Sequence, residues 1–188
     1  MERRFDWGSP SARLVLSAAL DVLVDVGYAG LTVEEIRARA GTAGPLVEEA
    51  DLEEIVATAL EQVRVFDVPA ASGDLRADLA ALLRPWLAAR RRDDQVVTAV
   101  LSAAEWNPRI KHAVVTAFDR PLAQAVGAVL APAVTSGQVP PSRVHTLNWI
   151  LRGLALDRMR AATPRSPVDL DERVDHLLAG LGSSPAPA

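Results

Sequence analysis

The apolar positions of this chain recur at three- and four-residue intervals almost throughout, the spacing that gives a helix one buried face. Leu14, Ala18, Val22 and Val26 form the first such stripe, and Leu16, Leu20 and Leu23 widen it. Ser9-Pro10 supplies an N-cap and a proline at the first helical position, and Gly27 stops the helix. Thr32 and Glu35 stand at capping-box spacing, with Leu31 and Ile36 placed around them as a hydrophobic staple. A second, brief helix therefore ends at Gly41. The stretch Thr42-Ala43-Gly44-Pro45-Leu46-Val47-Glu48-Glu49-Ala50 leaves room for two helical turns or fewer. Asp51 with Glu54 repeats the capping pair and predicts a longer helix from Leu52 to about Phe66.

Pro69-Ala70-Ala71-Ser72-Gly73 reads as a linker, small and polar with both breakers present. Beyond it the pattern predicts a helix from Leu75 to about Arg92, kinked near Pro85, and another from about Asp94 to Trp106. Asn107-Pro108 caps a long helix reaching Ser136-Gly137, with Pro121 and Pro132 as kinks or breaks. Pro140-Pro141 opens a helix to about Ala162, and Asp169 with Glu172 opens a last one ending at Gly180. No alternating β-branched run with hairpin chemistry occurs, so the expected fold class is all-α. Residues 1–66 hold three short helices and a linking helix, residues 74–181 a larger helical domain, and residues 182–188 a disordered tail.

At 188 residues with 49% hydrophobic side chains, the chain buries a core without staples. The absence of cysteine excludes disulfides, thiolate zinc sites and cysteine nucleophiles, and fits a reducing compartment. The opening Met1 to Trp7 lacks the apolar core of a secretory signal, and the run from Leu14 is cut by Asp21 and Asp25. The charge-free stretch between Arg120 and Arg143 holds Pro121, Pro132, Gly137 and Pro140, which suits a broken helix of a soluble protein better than a membrane span. A cytoplasmic protein without a membrane partner is expected.

The succession Ala18-Ala19-Leu20, then Val26-Gly27-Tyr28-Ala29-Gly30-Leu31-Thr32-Val33-Glu34-Glu35-Ile36-Arg37-Ala38-Arg39-Ala40-Gly41, resembles the N-terminal domain of the TetR/AcrR transcriptional regulators. The Gly-Tyr turn, the threonine cap, Ile36 and the Ala40-Gly41 turn fall in the family's order. Asp51-Leu52-Glu53-Glu54-Ile55 resembles the start of its fourth helix, and residues 74–181 look like one of its effector domains. The resemblance implies a homodimer whose paired helix-turn-helix units enter successive major grooves of operator DNA, released or recruited by a small hydrophobic effector in the larger domain. No cofactor is implied. The segment after Gly41 would be the reading head, and there the chain departs from the family: it carries Gly44-Pro45, Val47 and Ala50 in place of the usual serine, glycine or basic residue and aromatic pair, and is about two residues short.

Charge gives that departure physical weight. The whole chain carries −4, but residues 1–64 hold six basic and twelve acidic side chains, a net −6, so the remainder carries +2. No Lys or Arg occurs from Thr42 to Val63. Phosphate neutralisation supplies much of the affinity of protein–DNA complexes, and Glu48, Glu49, Glu53 and Glu54 oppose approach to a polyanion. The candidate DNA contacts are Arg3 and Arg4 as a basic arm, Thr32, Arg37 and Arg39 near phosphates, and Thr42, the only uncharged polar side chain between Gly41 and Asp51. Weakened, altered or lost DNA binding is expected. Three readings follow: a ligand-responsive regulator, a relative that keeps dimer and pocket but not operator contact, and a helical enzyme using the pocket.

Trp86, Trp106 and Trp149 fall in the presumed effector domain, where indoles line apolar pockets, or else fill cores and dimer contacts. Asn148 and Arg152 place polar groups near such a pocket or hydrogen-bond between helices. By family analogy the last two helices form a four-helix dimer interface, to which Leu147, Leu151, Leu154, Val174, Leu177 and Leu178 would contribute. Arg90-Arg91-Arg92-Asp93-Asp94 reads as cations ending one helix and anions beginning the next. His112, His145 and His176 have no second histidine at metal-ligand spacing. No GxSxG, P-loop, Rossmann fingerprint or HExxH occurs, so no catalytic residues are assigned.

Overall fold

The computed structural model describes residues 6–49, 51–66, 68–87, 91–160 and 169–182, and every regular element among them is helical. The α-helices are α1 (Pro10–Val26), α2 (Val33–Ala40), α3 (Leu52–Leu60), α4 (Leu75–Leu83), α5 (Arg92–Val100), α6 (Pro108–Val114), α7 (Arg120–Thr135), α8 (Pro141–Arg160) and α9 (Asp169–Gly182). Arg3, Arg4 and the tail beyond Gly182 lie outside the described residues, as do the side chains of Glu48, Glu49 and Trp86.

The chain divides into two compact units that do not follow the linker. One joins the chain up to Val65 with Arg91–Phe118; the other joins Phe66–Arg90 with the chain from Asp119 onward. In the first, α1 packs on α2, α3 and α5, and α3 packs on α6. Leu16, Leu23, Ile36, Ile55, Leu60 and Ile110 are fully buried there. In the second, α4 packs on α7 and α9, α7 on α8, and α8 on α9, around Leu79, Leu83, Leu122, Leu130 and Leu147.

Capping residues set most helix starts. The Ser9 side chain accepts from Ala12 N–H at 3.2 Å, Thr32 from Glu35 N–H at 3.2 Å, and Asn107 from Arg109 and Ile110 N–H at 3.0 and 3.1 Å. Asp51 caps α3 through Glu53 N–H at 3.2 Å, but Glu54 does not complete a capping box: its carboxylate accepts the Trp7 indole N–H at 3.0 Å. Asp74 caps α4, and the buried Asp78 behind it receives Ser72 N–H (2.8 Å), Ser72 hydroxyl (2.7 Å) and Gly73 N–H (3.2 Å). The hydrogen bonds from Ser72 hold the Asp78 carboxyl below its ordinary pKa.

Three helices end earlier than the sequence predicts, and the one expected to run from about Asp94 to Trp106 stops at Val100, before a separate 3₁₀ turn over Ala103–Glu105. The helix after Asp51 ends at Leu60 rather than near Phe66, because Val63 and Val65 both turn to the buried side of a non-helical segment while Arg64 between them faces solvent. Arg64 N–H donates to Asp93 at 2.8 Å, and its guanidinium satisfies the carbonyls of Glu61 and Val63 at 2.7 and 2.9 Å. The helix from Leu75 ends at Leu83, passing into a 3₁₀ turn over Arg84–Leu87 that contains Pro85. Pro121 lies in the first turn of α7, and a π-turn over Val115–Asp119 interrupts the α-helical run just before it and accommodates the missing N–H, whereas Pro132 lies inside α7. Pro108–Thr135 is long and apolar enough to cross a membrane, but half of that apolar window is buried inside the protein, as in a core helix.

Candidate nucleic-acid and dimer surfaces

The segment after α2 is a 3₁₀ helix over Gly41–Glu49, not an α-helix. Pro45 removes the N–H that an α-helix would aim at the Gly41 carbonyl. Gly44 permits the segment to lie directly on α2: a Cβ there would stand 2.7 Å from Arg37 Cγ and 2.9 Å from the Arg37 carbonyl oxygen. Ala43 and Val47 point into the core, leaving Thr42 and Pro45 exposed. Among the described side chains of this segment, the exposed Thr42 is the one polar group turned to solvent, and none is cationic.

Neighbouring cations are already engaged. Arg39, exposed on α2, pairs with Asp25 of α1 at 2.7 Å, and that carboxylate raises the guanidinium pKa further. Arg92 Nε and Nη2 reach Asp21 at 2.9 and 2.5 Å, and Nη2 also meets the Ser17 carbonyl at 3.1 Å. Arg91 donates to the Val65 carbonyl, and its own N–H is held by Asp94 at 2.7 Å. Arg91 and Arg92 thus bind protein within the first unit. Thr32 is spent as the α2 cap.

In the second unit, α8 presents two faces. Leu147 and Leu151 are 1% and 0% exposed, and on α9 Val174 and Leu177 are 0% and 8% exposed. On the outer side Trp149 is 72% exposed, with Ile150, Gly153 and the half-buried Leu154 beside it. A groove of about 130 Å³ runs between the helices, lined by Thr146, Leu147 and Ile150 of α8 and by His176, Leu177 and Gly180 of α9. Arg152 pairs with Asp119 at 2.6 Å.

Residues 69–180 match the family described as tetracyclin repressor-like, C-terminal domain. The chain belongs to the TetR family of transcriptional regulators. A crystal structure named as that of a TetR-family transcriptional regulator from Mesorhizobium loti MAFF303099 is similar to it, with a TM-score of 0.60 and 18% identity. The alignment covers 92% of this chain and 96% of that one. At that identity the likeness shows the all-α fold. No curated protein matches.

Within this TetR-family chain, the residues expected from sequence near an effector pocket are divided between the two units, and Trp149 and Arg152 line one shallow cavity on α8. Trp106 belongs to the first unit, where it is 67% exposed and meets Tyr28 edge to face. Trp149 and Arg152 lie on the outside of α8. Asn148 remains: it is half-buried, and its Oδ1 is enclosed without a protein donor. Leu147, Leu151, Val174 and Leu177, expected from sequence at a dimer interface, are buried within the protomer, while Trp149 and Ile150 of α8 are exposed and Leu154 and Leu178 are half-buried. Sequence reasoning missed Ile150 and the Asp25–Arg39 pair. Asp21 and Asp25, one turn apart on α1, were the available signal for the latter.

Proposed function

We propose that this TetR-family protein is a cytoplasmic homodimer that holds operator DNA weakly and answers to a small hydrophobic effector. The 3₁₀ segment over Gly41–Glu49 carries the reading: it has no Lys or Arg, and Arg39 on the preceding helix is paired. Phosphate contacts generate most of the salt-dependent affinity for duplex DNA, so a surface with few unengaged cations binds weakly whatever bases it meets. Pairing rests on Trp149, a large, exposed indole on the outer side of α8. In the second unit, the enclosed Asn148 oxygen is the point at which an effector would donate a hydrogen bond.

The same observation favours a second reading, in which operator contact is absent and the dimer modulates another regulator. Fluorescence anisotropy with duplexes flanking the gene separates the two. Weak binding, with dissociation constants of about 1 μM or more at low salt and collapsing as salt rises, fits the first. No measurable binding at low salt fits the second. A nanomolar, sequence-selective complex at physiological salt would overturn both.

A further inference from the structure

We propose that the exposed Trp106–Tyr28 edge of the first unit is a docking surface for an arginine- or lysine-rich segment of another protein. Trp106 is 67% exposed, more than Leu14 or Val26, the other exposed large apolar side chains among the described residues of that unit. Tyr28 supports the indole: the two rings meet edge to face, with centroids 5.9 Å apart and 66° between planes, and the backbone N–H of Trp106 donates to the Ala103 carbonyl at 3.2 Å. Tyr28 is hydrogen-bonded in turn to the side chain of the buried Asn107. A fixed, solvent-open indole binds without the ordering cost of a mobile one.

Charge selects the occupant. Burial raises the Tyr28 pKa, and the negative charges of Glu53 and Asp51 raise it further. Glu105, exposed, adjoins Trp106 in the chain. Arg109 is the cation at hand, and it is engaged with Asp51 at 3.2 Å, leaving Glu53 and Glu105 as a negative rim. The unit as a whole holds ten basic and fifteen acidic side chains, a net −5. A guanidinium or ammonium gains from both features, through the face of the indole and the carboxylates around it. A nucleic acid is repelled by the rim, and an uncharged apolar segment gains nothing from it.

The test uses the full chain and a fluorescein-labelled peptide of alternating arginine and alanine, with the glutamate counterpart as control, in anisotropy titrations at low and moderate salt. The arginine peptide binds and the glutamate peptide does not. Trp106→Ala weakens binding about three- to tenfold, while Trp106→Phe, which keeps an aromatic face, retains most of it. Glu53→Gln weakens it about twofold and flattens the salt dependence. Val68→Ala, at an exposed apolar side chain of the other unit, changes nothing. Circular dichroism reports folding; if Trp106→Ala does not fold, Glu53→Gln and the glutamate peptide decide. Equal affinity in every variant, equal binding of both peptides, no binding of the arginine peptide at low salt, or duplex DNA binding that depends on Trp106 would overturn the proposal. None of these results depends on the α8 seam or on the DNA affinity of the wild-type chain.

Discussion

Truncating Trp149 separates pairing from folding. An indole offers about 250 Å² of surface, so a side chain that is 72% exposed has roughly 180 Å² left to cover. At about 25 cal/mol per Å², covering half of that contributes about 2 kcal/mol. A two-fold seam uses the same residue from both copies, so Trp149→Ala removes about 4 kcal/mol per dimer, roughly a thousandfold in the dissociation constant. The protomer is expected to melt almost unchanged, because little of Trp149 is buried within it. Leu147→Ala provides the contrast. That side chain is 1% exposed, and its loss leaves a cavity costing about 2–5 kcal/mol of protomer stability. Sedimentation equilibrium across a concentration series reads the first effect, and thermal denaturation of the monomeric fraction reads the second. A Trp149→Ala protein that dimerises with wild-type affinity would refute the assignment of the seam to this face.

Three further substitutions test the local arguments. Gly44→Ala drives a Cβ to 2.7 Å from Arg37 Cγ, and a loss of about 1–3 kcal/mol by urea denaturation is expected; an unchanged midpoint would mean the 3₁₀ segment shifts freely on α2. Asn107→Ala removes the α6 cap and the partner of Tyr28, costing about 1–2 kcal/mol and returning part of the stabilised phenolate, so the Tyr28 pKa measured by ultraviolet titration rises. Asp78→Asn weakens the bonds from Ser72 and Gly73 at neutral pH. Because the folded-state pKa of Asp78 is lowered, its contribution is present above the ordinary carboxylate range and lost as pH falls through the lowered value; the gap between wild type and Asp78→Asn should therefore close below about pH 4. A gap that widened on acidification would contradict the sign.

Local rules made the helix starts legible. Ser9, Thr32, Asp51 and Asn107 cap where their spacing predicts, because a cap is decided by a few neighbouring residues. Helix ends were less so. The non-helical stretch from Val63 depends on burial of Val63 and Val65 and on the reach of Asp93, twenty-nine residues on, to the Arg64 N–H. The candidate surfaces divide in the same way. That the segment after Gly41 is short and lacks cations follows from residue types alone, whereas which leucines of α8 and α9 face outward does not: both sides of α8 carry apolar groups, and only packing against α7 and α9 decides that Leu147 turns in and Trp149 turns out. Trp106 lies inside the stretch that matches the C-terminal domain family, yet it clusters with the N-terminal unit because Arg91–Phe118 packs there.

The shortage of phosphate-binding cations has two parts, and they respond to different changes. One is compositional: no Lys or Arg lies between Thr42 and Val63, and no rearrangement supplies one. The other is conformational, because Arg39 exists but is held by Asp25 at 2.7 Å, with both side chains about half exposed. Asp25→Asn leaves the fold intact, since the pair lies at the surface, but frees a guanidinium on the helix that precedes the reading segment. Each additional phosphate contact steepens the dependence of log affinity on log salt by about 0.9. If Arg39 is withheld from DNA by its pair, Asp25→Asn should steepen the slope by about that amount and raise affinity at low salt, while Asp25→Asn with Arg39→Ala returns both to the starting values. A uniform gain in affinity without a change in slope would show that Asp25 acts only through its charge and that Arg39 never meets a phosphate.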